Sequence, residues 1–323
     1  MIKINQNTLN KANKHIVKLS VIIFRIIFLV AFSYILLYPV IFMCTNAIKT
    51  QADVMNPAVK WISHSPSLYS FKLAFQGMQF PTALKNTLIF SIVSALIQVF
   101  TCAFYSYGIS RFKLKINGLL TFFLILIILV PDIVLIMPRI TNFRHLDFLG
   151  ILDLLGRLIG RDIRPNVTDT LWCFYLPAIF GVGLKSGILM YIYIQFFKGL
   201  PVELEEAAWL DGAGPFKTFF TIILPSSGVV ILTVTVFSVV WHWNDWLLPT
   251  MYTTNNFTLS SQLYNIETVV SIWARGNGVT VDSTLSYGVS LCACILFIIL
   301  PLVMYLFIQR KFIQSIDRVG IVG

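Results

Sequence analysis

The residues that could do chemistry in this chain fall into two sets, and neither resembles a catalytic centre. The first set lies within apolar segments. Lys185 stands inside the run 171–197, Asp132 inside 118–138, and Asn86 and Gln98 on 84–108. A polar or ionised group at membrane depth is costly, so each is a candidate contact for a polar solute or for a neighbouring helix. The run 228–250 ends in WHWNDW, Trp241–Trp246. A headgroup belt accounts for the tryptophans, but not for Asn244 and Asp245 between them. Aromatic faces beside an amide and a carboxylate suit a sugar, which offers C–H faces and hydroxyls. Asn86, Lys185, Trp243, Asn244 and Asp245 are therefore the expected solute-pathway residues.

The second set lies in one polar stretch, EAAWLDGAGPFKTFFTIILP, Glu206–Pro225. Pro201 suits the first turn of a helix, and Glu203, Glu205 and Glu206 suit the positive end of its dipole. Ala207 and Ala208 are strong helix formers with little bulk. Asp211-Gly212 is a turn signal. Phe216, Phe219, Phe220, Ile223 and Leu224 recur at helical spacing, and Pro225 marks the break before the next apolar run. Two short helices joined by a turn are expected. They present alanines and a glycine ringed by carboxylates, a surface another backbone could approach closely; the same pattern also fits an ordinary loop between spans.

Other chemistry finds no support. GAGPFKT, Gly212–Thr218, lacks the glycine before Lys217 and the preceding strand that a phosphate loop requires. There is no G-x-S-x-G and no H-E-x-x-H. The four histidines are scattered, and the five cysteines form no C-x-x-C pair, so packing roles are expected and no metal site.

The elements that must position these residues are membrane helices. The chain has 323 residues, 57% hydrophobic and 12% charged, with mean hydropathy +0.81. Too few polar groups remain to cover a soluble domain. An all-α membrane protein is expected, with a polar tail at 1–18, a six-helix domain at 19–309 and a second tail at 310–323. The spans are placed at about 19–43, 84–108, 118–138, 171–197, 228–250 and 285–309. Lys3, Lys11, Lys14 and Lys18 in the first tail, and Arg111, Lys113 and Lys115 in a short loop, put both termini and the loop 198–227 on the cytoplasmic side. The net charge of +10 then reflects lipid headgroup contact and orientation, with no nucleic-acid partner. On that topology Lys185 lies ~20 Å from the outer end of its span and Asp132 ~21 Å from the inner end of its own. They differ in depth, and no direct bridge between them is expected. The external segment 139–170 carries nearly balanced charge and a helical stripe, Phe148, Ile151, Leu152, Leu155, Leu158 and Ile159, which reads as an interfacial helix.

The polar stretch resembles a known signature. Glu206-Ala207-Ala208, Gly212, Ile222, Leu224 and Pro225 fall in register with the EAA motif of binding-protein-dependent ABC importer permeases, and Asp211-Gly212-Ala213 fits the DGA common there. NTLIFS from Asn86, YGISRFKLK from Tyr107, WNDWLLP from Trp243 and QRKF from Gln309 look like the carbohydrate-uptake members similar to the maltose importer's shorter permease. The resemblance covers about residues 15–323. It implies type I ABC importer permease architecture in a bacterial cell membrane. It also implies that Glu205, Glu206, Ala207, Ala208, Asp211, Gly212, Ala213 and Pro225 form the coupling element seated in a cytoplasmic ABC ATPase dimer. The chain itself would bind no cofactor; ATP and Mg would sit on that ATPase. A second homologous permease, an extracytoplasmic solute-binding protein and membrane lipid are the other implied partners. Two departures stand out: the long segment 139–170, and Val322 in place of the usual lysine before the final glycine. Lys185 also stands where relatives usually have a small or neutral residue. Other readings are an ion-coupled secondary transporter, an ABC permease for a non-carbohydrate solute, and a membrane scaffold that binds an ATPase without transport.

Overall fold

A computed structural model describes residues 6–112, 115–147, 150–255 and 257–320, with side-chain surroundings from 17 to 310 within them. Lys3, Lys113, Phe148, Val322 and Gly323 lie outside the described residues. Among the described residues all regular structure is helical. That is the form in which a backbone meets its own hydrogen-bonding needs in lipid.

Helix α1 (Gln6–Ala47) exposes apolar side chains along Val17–Ile41 and is buried at its end, where Asn46 and Ala47 pack on the chain. Such a surface is stable in lipid or against another apolar chain. Two short helices follow, α2 (Gln51–Met55) and α3 (Tyr69–Gly77). Helix α4 (Phe80–Arg111) is the hub, and it contributes to all three apolar clusters of the molecule. Most of its buried positions are small, Ala83, Thr87, Ser91, Ser94, Ala95, Cys102, Ala103 and Ser106, and Phe90, Gln98, Val99 and Tyr107 are the larger ones. Small residues let neighbouring backbones approach closely where no hydrophobic effect drives helices together.

The next apolar segment is bent. Helices α5 (Asn117–Leu129) and α6 (Asp132–Arg144) meet at 100°. Pro131 lacks an N–H and pushes Val130 into an extended conformation, which ends α5. Helix α7 (Ile151–Ile159) occupies the long segment that follows.

Residues 171–197 are not one continuous helix, as the apolar run suggested. They form α8 (Trp172–Ile179) and α9 (Ser186–Gly199), separated by a break at 180–185. Gly181 (φ +73°) and Lys185 (φ +53°) adopt left-handed conformations there. A Cβ on Gly181 would lie 2.5 Å from Met190 and 2.9 Å from Tyr105, so the chain crosses at a point only glycine fits. The freed backbone groups find partners, as they must at membrane depth. Gln98 donates to the Leu184 carbonyl (2.9 Å) and to the Ser186 hydroxyl (2.9 Å). Ser238 in turn donates to Gln98 Oε1 (2.6 Å). Gln98 of α4 thus fastens the break to the helix beyond it.

The polar stretch forms α10 (Glu203–Leu210) and α11 (Pro215–Thr218), joined through Gly212 at φ +78°. The second helix is not uniform: it passes into a π-turn at Phe219–Ile223 and then α12 (Leu224–Ser226). An 80° bend leads into α13 (Gly228–Asn244). The chain ends with α14 (Leu247–Tyr252), α15 (Leu259–Tyr264), α16 (Ile266–Gly276) and α17 (Ser283–Gly320). Among the described residues, three helices are long and apolar enough to cross a membrane unbroken, or up to five if each bent pair is one span.

Asp169 clamps two loops at one end of the bundle. It holds φ +62°, its N–H donates to the Tyr252 carbonyl (2.9 Å), and its carboxylate accepts the N–H groups of Thr254 (2.6 Å) and Asn255 (2.9 Å) and the Asn255 amide. The Asn255 N–H, then that of Thr254, holds this carboxyl below the usual range despite partial desolvation. A depressed folded pKa contributes stability that is present above the unfolded value of ~3.9 and is lost as pH falls toward the folded one. Asp169→Ala is therefore expected to lower the thermal midpoint at neutral pH, and the gap from wild type should close in acid. A gap that persists unchanged at low pH would contradict the clamp.

Candidate functional site

The polar stretch is carried by the last turns of α4. Phe104, Tyr107 and Arg111 project toward it from one helical face. Phe104 meets Phe216 (5.9 Å between centroids) and Phe219 (5.8 Å), and Tyr107 meets Phe219 (5.1 Å). Arg111 closes the series with charge. Its Nη2 donates to the Leu200 carbonyl (2.7 Å), and its Nε lies 3.0 Å from Glu205 Oε1. That second contact is an ion pair whose N–H is not aimed well enough for a good hydrogen bond. The side chains of Arg111 and Glu205 are 7% and 3% exposed. Burial raises the Glu205 pKa, and the guanidinium beside it opposes that shift.

The three acids of α10 thus have different surroundings. Glu205 is turned inward and joins α10 to α4, whereas Glu203 and Glu206 are exposed. The two alanines divide in the same way. Ala208 is 4% exposed and packed on the chain, with its carbonyl accepting the Ala213 N–H (2.9 Å), while Ala207 faces out. Beside Ala207 the structure shows Leu210 at 88% exposure, with Asp211 and Gly212 exposed next to it. Nothing lies within 4 Å of a Cβ placed on Gly212. Pro225 is exposed at the bend into α13. The outward surface includes Glu206, Ala207, Leu210 and Gly212, acidic at one edge, with Leu210 the most exposed of the apolar side chains of α10.

The solute-pathway candidates do not form one group. Asn86 donates its amide to the Phe257 carbonyl (3.1 Å). Trp243 is buried against Phe297 (5.8 Å) in the cluster between α3, α16 and α17. Asn244 is exposed and donates to the Val240 carbonyl one turn back (2.8 Å). Lys185 and Asp245 do converge, because three helices break near one another. Lys185 begins α9, Asp132 begins α6, and Asp245 ends α13 two residues before α14. Lys185 is exposed, and its Nζ lies 5.1 Å from the centroid of the Trp241 ring, which Phe237 stacks at 5.6 Å. Asp132 pairs with Arg139 (3.5 Å). Both Lys185 and Asp132 act electrostatically on Asp245. One Asp245 oxygen caps α14 by accepting the N–H groups of Leu247 (3.1 Å) and Leu248 (3.2 Å); the other is buried without a hydrogen-bond partner. The broken helices so bring together groups that straight helices would hold at different depths.

Three residues outside the expected sets, Arg111, Arg139 and Trp241, hold these sites in place, and Gln98 takes the neighbouring-helix role of its two expected ones. In the sequence Arg111 registers as a topology marker and Arg139 as one charge among many. Their signal is periodic: Arg111 continues the Phe104–Tyr107 face. Among the described residues no three His, Cys, Asp or Glu side chains are placed to hold a metal ion.

Residues 99–318 match the family described as binding-protein-dependent transport system inner membrane component. The putative ABC transporter permease protein ORF2 of Caldicellulosiruptor sp. (strain Rt8B.4) is 26% identical over 301 residues, covering 92% of this chain and 96% of that protein. The probable starch degradation products transport system permease protein AmyC of Thermoanaerobacterium thermosulfurigenes is 25% identical over 222 residues, covering 69% of this chain and 72% of that protein. The fold is similar to that of a chain in the crystal structure of a bacterial ABC transporter involved in the import of the acidic polysaccharide alginate. The TM-score is 0.61 at 17% identity, covering 90% of this chain and 95% of that one.

Proposed function

The chain belongs to the family of binding-protein-dependent transport system inner membrane components, and from that premise we propose that it is one permease half of an ATP-driven importer of a sugar or oligosaccharide. The observation that carries the reading is the loop Glu206–Pro225, in register with the EAA motif and locked to α4 through Arg111 and Glu205. The chain has no nucleotide-binding signature, so energy arrives from a separate ATPase dimer that binds ATP and Mg. The outward face of α10 receives it, and closure of the ATPase is passed to α4 by rigid contact. Alternating access follows as the helices rock about the pathway. With α8 and α9 counted as one broken span, the three unbroken helices and two bent pairs make six crossings, with both termini cytoplasmic. A second permease and an extracytoplasmic binding protein complete the assembly.

A carbohydrate substrate is supported by the name of AmyC, a relative assigned to starch degradation products, and by the aromatic platform of Phe237 and Trp241 beside Lys185. An exposed lysine at this depth cannot face lipid cheaply. It therefore faces the pathway, where it suits a solute carboxylate. The test is the complex reconstituted in vesicles with its binding protein. ATP should drive uptake of labelled oligosaccharide. Lys185→Ala should reduce uptake of a uronate-containing oligosaccharide about tenfold, the value of one charge-assisted contact, while sparing a neutral one. Equal uptake by variant and wild type removes the anionic assignment. No ATP-dependent uptake of any saccharide removes the importer reading.

A further inference from the structure

Helix α7 has one face with no partner in the chain. On a helical wheel Ile151, Leu154, Leu155 and Leu158 share one side, with Ile159 at its edge; Asp153, Gly156 and Arg157 share the other. The five aliphatic side chains are all exposed, Leu158 the most at 76%. The polar side is tied to the chain. Asp153 pairs with Arg157 (2.7 Å) and Arg164 (3.1 Å), and Asp147 accepts the N–H groups of Leu152 (2.8 Å) and Asp153 (3.0 Å). The returning chain lies over Gly156 so closely that a Cβ there would meet the Arg161 carbonyl at 2.7 Å. The helix is thus held by its polar side with its apolar side directed away.

We propose that α7 is a membrane anchor whose apolar face lies in the lipid headgroup layer. Three observations favour lipid. The segment rises from helices of the membrane domain, α6 before it and α8 after it. Trp172 stands exposed in the first turn of α8 against Tyr175, the aromatic pair expected at headgroup depth. Exposed Arg144 and Arg161 flank the helix, placed to meet lipid phosphates. A transient partner fits worse. A solute-binding protein must leave in each cycle, and its departure would return a contiguous aliphatic face to water. Lipid is always present. The consequence is mechanical: the anchor would hold the end of α6, which carries Asp132 and Arg139, and the start of α8 at a fixed depth while other helices move.

The test does not depend on transport. The full chain, with Cys44 and Cys294 changed to serine, is placed in vesicles of phosphatidylethanolamine and phosphatidylglycerol. Nitroxide labels are attached at Ile151→Cys, Leu155→Cys, Leu158→Cys and Arg157→Cys, one variant at a time. Collision with oxygen, which partitions into lipid, and with an aqueous nickel chelate is measured for each. The ratio of oxygen to nickel collision should be severalfold higher at the three aliphatic positions than at Arg157. Equal nickel access at Leu158 and Arg157 overturns the proposal in favour of an aqueous face. Exclusion of both reagents at Leu158 overturns it in favour of a protein partner.

Discussion

Arg111→Ala is expected to destabilise the subunit by about 3 kcal/mol, the lower end for breaking a buried ion pair, and to abolish coupled transport. The lower end applies because Arg111 ends α4 and Glu205 lies in the first turn of α10, both close to water. The variant leaves Glu205 buried with no cation and the Leu200 carbonyl without its donor. Glu205→Gln should cost less, since it removes the charge that needs compensation, and Arg111 keeps its bond to Leu200. The two variants should also differ with pH. Burial raises the Glu205 pKa even with Arg111 present, and loss of the guanidinium raises it further. A carboxyl with a raised folded pKa binds more protons folded than unfolded, so stability falls as pH rises through that window. Arg111→Ala should therefore regain part of its lost stability on mild acidification, and Glu205→Gln should not. Thermal midpoints of the purified subunit against pH decide this. If both variants show the wild-type midpoint and profile, the pair is not a structural link.

Leu210→Arg is expected to produce the second large effect, on coupling alone. Leu210 is 88% exposed, so the change should leave the stability of the isolated subunit within about 0.5 kcal/mol. In the assembled importer it removes the projecting side chain at the centre of the proposed ATPase contact and buries a charge there. Loss of a central anchor costs about 2 kcal/mol or more, roughly a thirtyfold fall in affinity for the ATPase. Ala207→Arg should behave in the same way, because Ala207 also faces outward. Ala208→Arg should not. Ala208 is packed inside, and an arginine there has no room, so that variant should lower the midpoint of the subunit before any partner is added. Pull-down of the ATPase and solute-stimulated ATP hydrolysis, read beside the midpoints, separate docking from folding. Normal coupling in both Leu210→Arg and Ala207→Arg would remove α10 as the coupling element.

Broken helices decide how the membrane domain works at its centre. A straight helix carrying Lys185 and another carrying Asp132 would place the two charges at different depths. The breaks before Asp132 and Lys185 and after Asn244 instead bring helix ends together around Asp245. Non-helical backbone at this depth is tolerable because its polar groups find partners: Gln98 donates to the Leu184 carbonyl, Arg139 to the Val182 carbonyl (3.4 Å), and the Val182 N–H donates to the Pro177 carbonyl (2.8 Å). Gln98 and Arg139 are thus engaged by the backbone of the breaks, while Lys185 lies over the Trp241 ring and one oxygen of Asp245 stays buried without a hydrogen-bond partner.

The sequence by itself determined that the chain is helical and membrane-embedded, because its composition leaves no other way to satisfy backbone and surface. It determined the family through the spacing from Glu206 to Pro225, and the turn at Asp211-Gly212, because a left-handed residue after a short helix calls for glycine. Periodicity alone also foresaw a helix at Ile151–Ile159. It could not say which of three neighbouring glutamates turns inward, or which of two alanines faces out. In a short loop helix those choices depend on where α4 ends and where its arginine points, which is a contact between residues far apart in the chain. The same limit hid the split of 171–197: Pro177, Gly181 and Gly183 mark it as breakable, but Tyr105 and Met190, which close over Gly181, and Gln98, which meets the freed carbonyl, come from elsewhere in the chain. Hydropathy records whether a segment prefers lipid, but not whether its helix continues, because the partners that make a break tolerable come from other helices.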